Sequence, residues 1–67
     1  MNLKEELLVH LKKESDCMEN DVRNMTKAIN EDDFKTAYEY VRAIVDHSLT
    51  MEDEMMEYKR LKIKEEN

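Results

Sequence analysis

The sequence predicts an all-α fold, a long antiparallel helical hairpin, and three observations predict it. The chain contains neither glycine nor proline, so the residues that build tight hairpins and bulges in sheets are missing, while its many Lys, Glu, Met and Leu residues favour helix. Apolar residues recur at alternating steps of three and four, the rhythm of one helix packed on another. A single polar cluster, Asn30-Glu31-Asp32-Asp33, interrupts that rhythm near the middle of the chain.

The first helix is expected over about residues 2–29. Asn2 is a candidate N-cap and Glu5, three residues on, completes the spacing of a capping box ahead of Leu7, Leu8 and Leu11. The stripe expected to face the second helix runs Leu8, Leu11, Ser15, Met18, Val22, Met25 and Ile29.

The turn is expected at 30–32, with Asn30 in the left-handed position after the helix and Asp32 capping the next one. The second helix is expected over about 33–63, followed by a charged tail at 64–67 that frays. In an antiparallel pair facing positions keep a constant sum. Setting it with Ile29 and Phe34 beside the turn brings Met25 to Tyr38, Val22 to Val41, Met18 to Val45, Ser15 to Ser48 and Leu8 to Met55. The alternative is a compact three-helix fold broken near Ser48, because Thr50 and Asp53 also have capping-box spacing.

With 67 residues the chain makes one domain, 1–67, and a core this small rarely supplies more than roughly 3–5 kcal/mol without a disulfide, a metal or a partner. The lone Cys17 excludes an internal disulfide. Association is therefore the expected staple. Helix 2 carries two apolar flanks: Ala37, Ile44, Met51 and Tyr58 can cover helix 1, which leaves Tyr38, Val45, Leu49 and Met56 as the expected partner-binding strip, completing a four-helix bundle in a homodimer or with another protein. The six methionines suit adaptable helical contacts.

Composition narrows function mainly by exclusion. A formal net charge of −6 opposes direct binding to nucleic acid or to anionic lipid. No apolar run approaches the length of a signal peptide or a membrane span, so a reducing, cytoplasmic setting is expected. His10 and His47 lack a glutamate three residues earlier, as inward-facing di-iron bundles require, and no Cys/His spacing suits zinc; both imidazoles read as solvated, and neither a metal nor another cofactor is expected. Cys17 lies among Glu14, Asp16 and Glu19, which disfavour a thiolate nucleophile. No nucleophile–base pair or phosphate-binding loop is present, so catalysis is not expected.

The segment Asp33 to Tyr40 resembles the second helix of a tetratricopeptide repeat. The first helix lacks that repeat's small-residue and tryptophan pattern, and a lone repeat has nothing to stack on, so the resemblance assigns no family. The sequence thus points to a small non-catalytic protein–protein interaction module, an adaptor, chaperone-like cover or inhibitor acting through an apolar helix face. A second reading is an acidic regulator that uses Glu52, Asp53, Glu54 and Glu57 to occupy the nucleic-acid-binding surface of a basic protein.

Overall fold

The computed structural model of the chain describes residues 2–66. Two helices, α1 over Leu3–Asn30 and α2 over Phe34–Glu66, pack against each other along their length. The hairpin measures 53 × 17 × 13 Å. A helix of 33 residues is about 50 Å long, so α2 sets the longest dimension and the molecule is one helix thick in the shortest.

Local capping explains where α1 begins. The side chain of Asn2 accepts a hydrogen bond from the backbone N–H of Glu5 at 2.9 Å, satisfying one of the unpaired donors of the first turn. The turn differs in detail from the sequence expectation. Asp32, not Asn30, takes the left-handed conformation, with φ of 58°, and α1 keeps Asn30 as its last residue. The Asp33 N–H reaches back to the Ala28 carbonyl at 2.8 Å and the Asp32 N–H to the Ile29 carbonyl at 3.0 Å, the two bonds of a Schellman ending. Asp33 then caps α2 in place of Asp32, its Oδ1 accepting from the Thr36 N–H at 3.2 Å.

The three-helix alternative does not occur, because α2 runs unbroken through Ser48. Ser48 and Thr50 donate their hydroxyls to the carbonyls one turn back, on Ile44 and Asp46, and so stay inside the helix instead of capping a new one. α2 continues to Glu66, past the expected helix end at about 63, and Asn67 lies outside the described residues. Lys4 on α1 holds Glu65 at 2.6 Å, tying the far end of the hairpin together.

The seam between the helices is displaced from the expected stripe. The seam is formed on α1 by Lys4, Leu7, Leu11, Glu14, Met18, Asp21, Met25 and Ala28 and on α2 by Ala37, Tyr40, Ile44, His47, Met51, Glu54, Tyr58 and Leu61, with Asn24, Thr36, Ala43 and Glu57 half-buried beside it. Each set keeps alternating steps of three and four. The flank Ala37, Ile44, Met51 and Tyr58 covers α1 as expected. On α1, however, Leu8, Ser15, Val22 and Ile29 are exposed, and their neighbours Leu7, Glu14, Asp21 and Ala28 take the inner places. Ala28 and Ala37, each 5% exposed, are the most buried of the described residues and lie beside the turn, where small side chains suit close packing. In so thin a molecule, Leu11 is the one large side chain among the described residues to be buried.

Candidate functional site

The seam has two edges of opposite chemistry. Residues one position after Leu7, Glu14, Asp21 and Ala28 on α1, and one position after Tyr40, His47 and Glu54 on α2, lie on the same edge of an antiparallel pair. That edge carries Leu8, Ser15, Val22 and Ile29 from α1 and Phe34, Val41, Ser48 and Met55 from α2. Its six large apolar side chains are between 38% and 63% exposed. A shallow groove lined by Met18, Ser48, Met51, Glu52 and Met55 opens on it. The pairs expected to face each other across the interior, such as Val22 with Val41 and Leu8 with Met55, therefore run side by side along an open apolar edge.

The opposite edge is polar. His10 flanks Leu11 and Glu14 there, and its imidazole hydrogen-bonds to Glu54 across the seam. Its Nε2 lies 3.6 Å from Glu14 Oε1. The second oxygen of Glu14 lies 2.7 Å from Nδ1 of His47 on α2, and Nε2 of His47 lies 3.8 Å from Asp21. Glu54, His10, Glu14, His47 and Asp21 thus form one connected row that crosses between α2 and α1 three times, with His10 and Glu14 one turn apart on α1. The carboxylates are the sheltered members: the side chains of Glu14 and Glu54 are 15% and 14% exposed, against 53% for His10. Glu54 Oε1 is buried with no hydrogen-bond partner.

The electrostatics follow from this row. The hydrogen bond to Glu54, reinforced by that carboxylate's charge and by Glu14, raises the His10 pKa above its ordinary value of 6.5, against desolvation and the charge of Lys13. Sequence reasoning reads both histidines as solvated; the structure instead joins them through Glu14. A signal for this was present, since the rhythm through Ile44, His47, Met51 and Glu54 is as regular as the all-apolar one, but its charged members argue against choosing it.

The expected partner strip is distributed over two places. Tyr38 and Val45 adjoin the apolar edge by helical spacing, while Leu49 and Met56 lie further round the outside of α2, Met56 in a groove with Lys59, Arg60 and Ile63. All four are between 48% and 65% exposed. The residues of the acidic alternative do not share one surface: Glu52 and Asp53 face outward, Glu54 faces the seam, and Glu57, half-buried, pairs with Arg60. Cys17 is a free, exposed thiol. Among the described residues no helix is long and apolar enough to cross a membrane. No protein-family model, curated protein or solved structure matches the chain.

Proposed function

We propose that this chain is a small, non-catalytic protein–protein interaction module of the cytoplasm, and that its apolar edge is covered by the same edge of a second copy to give a four-helix bundle. The observation that carries the reading is the row of Leu8, Val22, Ile29, Phe34, Val41 and Met55, interrupted by the Ser15 and Ser48 layer, left open on one side of the seam. Rows of that length on small proteins mark interaction surfaces.

Area supports a second copy as the occupant. The chain exposes 5367 Å², whereas a compact monomer of 8.1 kDa exposes about 4,500 Å². The difference, about 900 Å², is close to the roughly 800 Å² that each partner contributes to a standard interface. Pairing two open edges also gives every inward residue neighbours on two sides, as the layers of a bundle do. Adaptor, cover or inhibitor activity would then reside in exchange of one copy for a partner helix, or in the outer row of Leu49 and Met56.

Sedimentation equilibrium at low and high salt tests the reading. A dimer that persists at high salt is expected, because apolar contacts do not weaken with ionic strength. Val22→Glu with Val41→Glu is expected to give a helical monomer. A wild-type chain that stays monomeric at high concentration, or a dimer that survives both substitutions, would overturn the assignment.

A further inference from the structure

We propose that His10, Glu14 and Glu54 form a binding site for one divalent transition-metal ion of the Zn²⁺ class, bridging α1 and α2 on the polar edge of the seam. One ligand atom from each of the three residues lies within 4.8 Å of the other two, so that one ion at ordinary bond lengths of about 2.0–2.2 Å can be reached by all three after small rotamer adjustments. The donor set is one imidazole nitrogen with carboxylate oxygens, the chemistry that borderline divalent ions prefer.

Two further observations point to a cation there. Glu54 already meets His10 through Oε2, while its Oε1 is buried without a hydrogen-bond partner, so the carboxylate keeps a sheltered acceptor that only a further donor or cation satisfies. Glu14 is held from behind: its Oε2 is engaged by His47 Nδ1 at 2.7 Å, which leaves Oε1 on the His10 side, and Asp21 stands beyond His47 at 3.8 Å. Carboxylates that ligate metal ions are themselves held by hydrogen bonds, as Glu14 is here by His47. His10 itself is half-exposed, so an ion has an approach from solvent and a water can complete the coordination. The site lies on the edge opposite the apolar row, so it does not depend on the dimer. It also supplies what the length of the chain leaves wanting, a cross-link between two helices that have no disulfide.

The test uses the full chain stripped with a chelator, titrated first with Co²⁺ and then with Zn²⁺. The expected result is a saturable visible absorption from Co²⁺ at one ion per chain, lost on addition of one equivalent of Zn²⁺. His10→Gln and Glu54→Gln are each expected to lower Co²⁺ affinity by more than about tenfold, and His47→Gln by about tenfold through Glu14. Circular dichroism of each variant keeps loss of binding separate from loss of helix. Absence of saturable binding by a fully helical wild-type chain overturns the proposal, as does binding that survives His10→Gln with Glu54→Gln. A stoichiometry of one ion per two chains overturns it as well, since the site described lies within one hairpin.

Discussion

Glu14 Oε2 and His47 Nδ1 stand 2.7 Å apart on opposite helices, in places that an ordinary helical seam gives to apolar side chains. Both side chains are largely sheltered, at 15% and 34% exposure. A pair so placed acts less through its own attraction than through what each member suffers when the other is removed.

Glu14→Ala should therefore destabilise the hairpin by about 1–3 kcal/mol, because it strips His47 of its acceptor in the seam. The double change Glu14→Leu with His47→Leu should recover or exceed wild-type stability by making the layer apolar. Thermal unfolding followed by circular dichroism at fixed protein concentration checks both; a double variant less stable than Glu14→Ala would contradict the argument.

Acidity should move stability in a definite direction in the metal-free protein. The folded-state pKa of His10 is raised above 6.5 by Glu54 and Glu14, so the protonated form favours folding. Its contribution is complete below the unfolded value and is lost as pH rises through the folded one. With a chelator present, Tm should fall as pH rises from the ordinary value of 6.5 through the raised folded-state value, and His10→Gln should flatten that fall. A slope unchanged by the substitution would mean that this imidazole is not the group responsible.

Substitutions on the two faces of α2 separate the open edge from the outer row. Val41→Lys with Met55→Lys should prevent self-association, since both residues lie on the apolar edge. Leu49→Lys with Met56→Lys should leave self-association within about a few-fold of wild type, as expected for residues outside an interface core. Sedimentation of the two variants side by side decides it, and the opposite ranking would move the interface to the outer row.

The turn offers a local test. Asp32 holds a φ of 58°, which costs a residue with a Cβ roughly 1 kcal/mol, so Asp32→Gly should stabilise by up to about that amount. Asp33→Ala removes the acceptor of the Thr36 N–H and should destabilise by about 1 kcal/mol. Urea unfolding of the two variants measures these opposite signs.

The sequence by itself determined the two helices, the place of the turn and the cap at Asn2, because propensity, capping and the absence of glycine and proline act within a few residues of one another. It also determined that Ala37, Ile44, Met51 and Tyr58 share one flank, since helical periodicity alone fixes that. Only the tertiary structure decided which of two neighbouring stripes on α1 turns inward. Leu8, Ser15, Val22 and Ile29 are the more apolar choice, yet Leu7, Glu14, Asp21 and Ala28 lie inside. The reason is that the charges among the inner residues are paired only after the second helix arrives: Glu14 meets His47 33 positions away and His10 meets Glu54 44 positions away. The inner stripe's rhythm was legible in the sequence, but its charges argue against it until the partners on the other helix are in place.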